Sequence, residues 1–374
     1  MARIVRVEVG RFDYALVGEF KFFRTRARPS LLVRLTDEDG VQGWGQSVPV
    51  ETWTYETVES VESTLAGYLG PAVLGANPGH LEEIHQRMEH AIRPSFSVGQ
   101  PLAKAGIDLA CYDLWGKQAK KSVAALLGGA SRTEIRLSWT VNAASLEKAE
   151  QLLEQGRAAG YDNFNIKLGP PQTSAHDLAL VRLAREFEPD GFHWGDANTG
   201  YDLDTALAQA PRLADLGLEA LESPLPPNRI RDYQALRRQG ALPILMDEGI
   251  VSPVEAEEFM ALGMLDGIAM KVARCGGLWH ASRIVLALQK HGLKLFGSGL
   301  TDPELSLAAS IHLFGWAGLD LPAALNGPQF LGGRGSGDAA FRAKGDVIRV
   351  PAGPGLGVAL EERAVRALKT VAQA

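Results

Sequence analysis

Cysteine is almost missing from this chain: Cys111 and Cys275 are the two thiols among 374 residues. Two thiols build no disulfide framework, and a reducing, cytoplasmic setting is the expectation. No apolar run reaches the roughly 18 residues of a membrane-spanning helix. The opening MARIVRVEVG has neither a long apolar region nor a cleavage site, so no signal peptide is expected. Long basic runs are absent too. The 38 lysines and arginines are outnumbered by 44 acids, giving a formal net charge of −6. That argues against a nucleic-acid or membrane-surface partner. The histidines at 80, 85 and 90 recur every five residues, a spacing that no single helix face collects. They are read as surface residues rather than metal ligands.

What is present is the mixture of an ordinary globular protein, 46% hydrophobic and 22% charged. Its length suits two domains or one large barrel with an appendage. The first third reads as α+β. RIVRVEVGRF and SLLVRLTDEDGVQGWGQ alternate as strands do, the second with a hairpin turn at Asp39-Gly40. Helical stretches follow at about 54 to 70, 80 to 92 and 101 to 120. From about residue 134 the rhythm changes. Eight short apolar runs alternate with amphipathic helical ones: IRLSWTV, NFNIKLG, GFHWGDAN, GLEALESP, LPILMDEG, DGIAMKVA, LKLFGSGL and PAALNGP. A parallel sheet with helical crossovers demands such alternation. Eight units in this length predict a closed (β/α) barrel, with a doubly wound open sheet as the alternative.

The chemistry lies at the strand ends. Lys167 ends barrel strand two, Asp196 strand three, Glu222 strand four, Asp247 strand five and Lys271 strand six. The steps between them (167 to 196 to 222 to 247 to 271) are 29, 26, 25 and 24 residues, one βα unit each. Strand C-termini ring one mouth of a barrel, where active sites form. Three carboxylates with a lysine on either side therefore converge there. Buried charges persist only when paired or metal-bound. A divalent cation relieves three clustered acids, and hard oxygen donors select Mg²⁺, with Mn²⁺ as the alternative. Lysines beside such an ion suit base catalysis, and those of strands two and six address opposite faces of one α-carbon.

The motifs NIKLG, GDAN, LESP, MDEG and DGIAMKVARCGGL resemble those of the enolase superfamily, muconate lactonizing enzyme subgroup. GWGQSVPV, the AGIDLACYDLWGK helix, LLGG and GPGLGVAL resemble further landmarks of that family, so the likeness spans nearly the whole chain. The resemblance implies a modified (β/α)7β TIM-type barrel at about residues 131–330. An α+β capping domain would form from residues 1–130 and be completed by 331–374. It implies Asp196, Glu222 and Asp247 as Mg²⁺ ligands and Lys167 and Lys271 as an acid/base pair, with Glu248 and Asn198 in support. It also implies a homo-oligomer acting on a small carboxylate. Three departures stand out. LFGSGLTDPEL lacks the histidine that mandelate racemase-type members carry near strand seven. Ala324, Leu325 and Asn326 stand where dipeptide epimerases show Asp-x-Asp, and where muconate lactonizing enzymes tend to have a glutamate. Asn165 replaces the first lysine of the usual Lys-x-Lys.

Other positions carry weaker signals. In EFKFFRTRAR, Phe20, Phe22 and Phe23 are candidates for an apolar wall and Arg24 or Arg26 for an anion contact, against a reading as a solvated basic edge. Trp53 and Tyr55 lie in a second candidate specificity loop. Ser298 and Asp302 follow strand seven as possible substrate contacts. GGRGSG, residues 332 to 337, reads as a flexible loop. The expected chemistry is abstraction of the proton α to a carboxylate through an enolate. Racemisation or epimerisation leads, then cycloisomerisation, with dehydration of a hydroxy acid as the alternative and a non-catalytic barrel as the rival class.

Overall fold

Seven short strands between Trp139 and Gly297 form one parallel sheet in sequential order. They are Trp139–Val141, Phe164–Lys167, His193–Asp196, Leu221–Glu222, Ile244–Met246, Gly267–Met270 and Lys294–Gly297, here barrel strands one to seven. Helices cross between them, for example Leu146–Ala158, Ser174–Phe187 and Leu278–His291. The computed structural model describes residues 1–17, 22–23, 25–331, 342–360 and 362–374. The expected eighth strand, PAALNGP, is reduced to two parallel bridges, Leu137 to Ala323 and Ser298 to Ala324. Backbone hydrogen bonds support both sides, Ser138 N to Ala323 O at 2.9 Å and Ala324 N to Gly297 O at 2.8 Å. The ring is closed there, by a segment two residues deep. IRLSWTV also divides. Glu134–Arg136 pairs antiparallel with Val347–Arg349, and the barrel strand starts at Trp139.

Period two along each strand stacks two layers inside the barrel. Trp194, Ala220, Leu245, Ala269, Phe296 and Ala324, one from each of strands three to eight, make an apolar cluster of their own. Each lies two residues before a polar one: Asp196, Glu222, Asp247, Lys271, Ser298 and Asn326. Large and small side chains share the lower layer, which fills the lumen and leaves the polar layer at the mouth.

A four-stranded antiparallel sheet forms the cap, and its outer strand is the chain's C-terminal Lys369–Gln373, paired with Ile4–Arg11. Leu31–Asp37 and Gln42–Ser47 form the expected hairpin. The cap's main helix, Pro101–Ala119, is nearly all buried and lies almost in contact with Gln42–Ser47. A Cβ on Gly45 would stand 2.0 Å from Gly106 O, so only glycine permits that approach. The Glu56 carboxylate accepts the N–H groups of Leu102 and Ala103 at 2.7 and 3.0 Å and caps this helix. The helix expected from residue 54 begins at Val58, because Thr57 and Ser60 form a capping box. His85 corrects another expectation. On helix Leu81–Ala91 it falls on the buried stripe with Leu81, Ile84 and Met88, while His80 and His90 are exposed. Its Nε2 lies 2.8 Å from Asp108 Oδ2, and its ring packs on His280 at 4.4 Å. Asp108 also accepts Leu278 N at 2.6 Å, joining the cap helix to the barrel helix that follows Lys271.

Candidate active site

Barrel strands two to six deliver their terminal charges to one place. Lys167 is in register with Asp196, and Asp196 with Glu222, so three charged residues stand side by side on adjacent strands. Asp247 and Lys271 follow directly on Met246 and Met270. All five are buried, Asp196 and Glu222 completely. Lys167 Nζ lies 2.5 Å from Asp196 Oδ2. Lys271 Nζ lies 2.9 Å from Asp247 Oδ2 and 3.6 Å from Glu222 Oε1, and donates to Ser298 Oγ at 2.6 Å. Burial raises the Glu222 and Asp247 carboxyls above their ordinary range. Neighbouring Asp196 adds to the effect on Glu222, while Arg274 and Lys271 oppose it on Asp247. Burial by itself lowers the Lys167 pKa, but Asp196 and then Glu222 outweigh it and raise it above its ordinary value.

The surroundings hold these groups from both sides. Trp194 Nε1 donates to Glu222 Oε2 at 2.9 Å from the layer below. Asn198 donates through its backbone N–H and its side chain to Asp196 at 2.8 and 3.0 Å, and through Nδ2 to Glu248 Oε1 at 3.2 Å. From the cap, Trp53 donates Nε1 to Glu248 Oε1 at 3.3 Å. The Trp53 ring centroid stands 5.2 Å from Lys271 Nζ and 5.6 Å from the Arg274 guanidinium carbon, within cation–π range. Phe22 stacks on the Trp53 ring with centroids 4.2 Å apart. Both expected specificity loops therefore meet over the barrel mouth. Tyr55 is exposed and shares a small pocket with Trp53, Glu248 and Arg274. Asn326 accepts Thr301 N at 3.1 Å, and Asp302 is turned to Ser306 Oγ and Leu300 N. Phe20, Arg24 and the GGRGSG stretch lie outside the described residues.

Two arginines escaped the sequence reading. Arg274, three residues beyond Lys271 in the turn that follows strand six, is buried and bonds Asp247 Oδ1 through Nη1. Its spacing from Lys271 was the available signal. Arg28 closes the EFKFFRTRAR stretch, for which a solvated basic edge is one of the two readings, yet it is fully buried. It donates to the carbonyls of Pro29, Val48 and Pro49 in the cap and of Leu300 and Thr301 beyond strand seven, at 2.6 to 3.2 Å. Nothing local marks it, since its acceptors are main-chain atoms.

Among the described residues no group of three or more acids, histidines or cysteines already stands as a metal-ligand set, because the lysines reach between the acids. The donor chemistry nonetheless fits a hard cation. Among the described residues, Glu222 Oε1 and Asp247 Oδ2 are buried with no partner in hydrogen-bond geometry, the second despite its 2.9 Å approach to Lys271 Nζ. Such orphaned anionic oxygens are what a divalent ion satisfies. Asn165 adds to the unsatisfied set: it is fully buried on the face of Lys167, and both its amide atoms lack hydrogen-bond partners among the described residues. Beside Lys167, a cavity of about 660 Å³ opens toward strand one, lined by Thr140, Asn142, Lys148, Gln329 and Phe330 among others.

Comparison with known proteins agrees with this geometry. Residues 146–364 match the enolase C-terminal domain-like family, and residues 22–128 match the mandelate racemase/muconate lactonizing enzyme N-terminal domain. Muconate cycloisomerase 1 of Rhodococcus opacus is 31% identical over 370 residues, 97% of either chain. L-Ala-D/L-Glu epimerase of Bacillus subtilis is 26% identical, covering 95% of this chain and 96% of its own. The crystal structure of N-succinyl Arg/Lys racemase from Bacillus cereus superposes with a TM-score of 0.90 at 25% identity, covering 98% of this chain and 99% of that one. A buried two-lysine, three-carboxylate layer on consecutive barrel strands and two family models over most of the length point one way: the chain belongs to the enolase superfamily, in its muconate lactonizing enzyme-like branch.

Proposed function

We propose that this protein is a Mg²⁺-dependent isomerase that moves the proton α to the carboxylate of a small acid, by racemisation, epimerisation or cycloisomerisation. The observation that carries the reading is the placement of Lys167 and Lys271 on strands two and six, on either side of Asp196, Glu222 and Asp247. Asp196, Glu222 and Asp247 would hold the ion, with Asn198, Trp194 and Arg274 orienting their carboxylates. The bound ion would anchor the substrate carboxylate and stabilise the negative charge that develops on it. One lysine ε-amine takes the α-proton, and the opposite ammonium delivers a proton to the other face. Ser298 Oγ holds Lys271 in line, and the Trp53 ring covers the ammonium and keeps water from it. The relatives' names include a cycloisomerase, a racemase and an epimerase, which supports this class of chemistry.

Incubating the Mg²⁺-loaded protein with racemic and achiral acid libraries in D₂O tests the reading by mass spectrometry. Lys271→Ala should still wash out the α-proton of the enantiomer facing Lys167, and Lys167→Ala should show the reverse preference. Net turnover should fall on the order of 10²-fold or more in both. Exchange of both enantiomers at wild-type rates in both variants would show that neither lysine is a base.

A further inference from the structure

Two loops meet behind Lys167. One follows strand two, from Leu168 to Gln172; the other follows strand three, from Ala197 to Asp202. They pack without room to spare. Gly169 has φ +82°, and a Cβ there would stand 3.4 Å from Ala197 O and 3.5 Å from the Tyr201 ring. A Cβ on Gly200 would stand 2.9 Å from Pro170 Cδ. Asp177, on the outer helix Ser174–Phe187, is buried beneath both loops. Its two carboxylate oxygens each accept Gly169 N at 3.1 Å, and Oδ2 accepts the Tyr201 hydroxyl at 2.7 Å. Tyr201 N in turn donates to Pro224 O at 3.0 Å, two residues beyond Glu222. Gly169 lies two residues after Lys167, and Tyr201 five after Asp196.

We infer that Asp177 is a positioning residue: by clamping Gly169 and Tyr201 it sets Lys167 against Asp196. The strand register alone brings the two Cα atoms side by side. Register does not decide where a long, four-carbon side chain ends, because lysine keeps many rotamers unless its backbone and walls are fixed. Leu168 N donates to Asp196 O at 2.9 Å, the last bond tying the two strands. Beyond it the chain leaves the sheet, and Asp177 is its next anchor. A carboxyl group suits the task, since its two oxygens accept from the Gly169 N–H and the Tyr201 hydroxyl at once. The catalytic meaning of the clamp rests on the reading of Lys167 as a base, but the geometric claim does not.

The test compares full-length wild type, Asp177→Ala, Asp177→Asn and Tyr201→Phe, with folding checked by circular dichroism. Surface and buried lysines are labelled with acetic anhydride, and peptide mass spectrometry reads Lys167 and Lys271 separately. Asp177→Ala should raise Lys167 labelling about tenfold or more, the order expected when buried hydrogen bonds are lost. Lys271 should stay as in wild type. Amide hydrogen exchange should quicken in peptides holding 168–172 and 197–201 and not elsewhere in the barrel. Asp177→Asn keeps an oxygen for Gly169 N–H and should restore most of the protection, with Tyr201→Phe between the two. Equal rises at Lys167 and Lys271, or no rise at Lys167, would overturn the clamp and leave Asp177 a general stabiliser. Where α-proton exchange is measurable, Asp177→Ala should depress the Lys167-side enantiomer selectively. Absent exchange in the wild type counts against the function proposed above and not against the clamp, which the labelling judges independently.

Discussion

Replacing Arg28 with methionine should weaken the seam between cap and barrel, and the size of the effect follows from two opposing contributions. Burial pulls the guanidinium pKa down from 12.5 to about 10, despite the favourable field of Asp302. That difference corresponds to roughly 3 kcal/mol of penalty for keeping the charge where it lies. Methionine removes the penalty, and such replacements in other buried sites are often neutral or stabilising. Here the partners are main-chain carbonyls of Pro29, Val48, Pro49, Leu300 and Thr301, which cannot be discharged or removed. Each buried acceptor left alone costs about 1–3 kcal/mol. Allowing water to reach some of them, a net loss of about 3–5 kcal/mol is expected, a large share of a typical 5–15 kcal/mol total. Arg28→Lys offers at most three donors and should lose about half as much. Urea unfolding followed by circular dichroism measures the loss. Val48 and Pro49 lead into the loop that carries Trp53, so KM should rise more than kcat falls. An Arg28→Met protein with an unchanged or higher unfolding midpoint and an unaltered KM would refute the role of Arg28 as the anchor.

Three further outcomes are expected. Asp196→Asn, Glu222→Gln and Asp247→Asn should each lose Mg²⁺ binding by calorimetry while remaining folded, and full activity in excess chelator would rule out the metal. Asn165→Leu fills the same space without two stranded polar atoms, so thermal stability should rise by about 1 kcal/mol while turnover falls; unchanged turnover would make the amide dispensable. Burial lowers His312 to about 4, and it accepts Ala124 N on Nδ1 while Nε2 donates to Leu356 O, which requires the neutral ring. A base depressed on folding contributes stability above its unfolded pKa near 6.5 and loses it as pH falls toward 4, about 3 kcal/mol in all. His312→Gln should therefore flatten the decline in melting temperature between pH 6.5 and 4. The difference from wild type isolates it from Glu56 and Asp108, which burial raises to about 7 and which act in the opposite sense.

The barrel was legible because its signals are local. Each of Asp196, Glu222, Asp247 and Lys271 ends a short apolar run, and the βα repeat places all four at one mouth. The same periodicity hides in Trp194, Ala220, Leu245 and Ala269, whose role as a plug appears once the ring is closed. Short elements were less legible. Two bridges suffice for strand eight, because neighbours on both sides supply the hydrogen bonds and no intrinsic strand propensity is needed. Helix starts moved to wherever a cap was available, as at Thr57.

Sequence alone therefore determined the order of the elements and the five charges that face one cavity, since both follow from the βα repeat and from the strand ends it sets. Tertiary structure alone decided what each charge touches. Arg28 reaches Leu300 across 272 residues, and His85 finds Asp108 across 23. Asp177 binds the N–H of a glycine eight residues before it and a tyrosine 24 after it, from opposite sides. Arg274 and Lys271 share Asp247 under the ring of Trp53, which the cap delivers from the other half of the chain. Periodicity is written along the chain because each residue's side of a strand depends on its neighbours. A partner is not, because it depends on which distant segments the closed barrel and its cap press together.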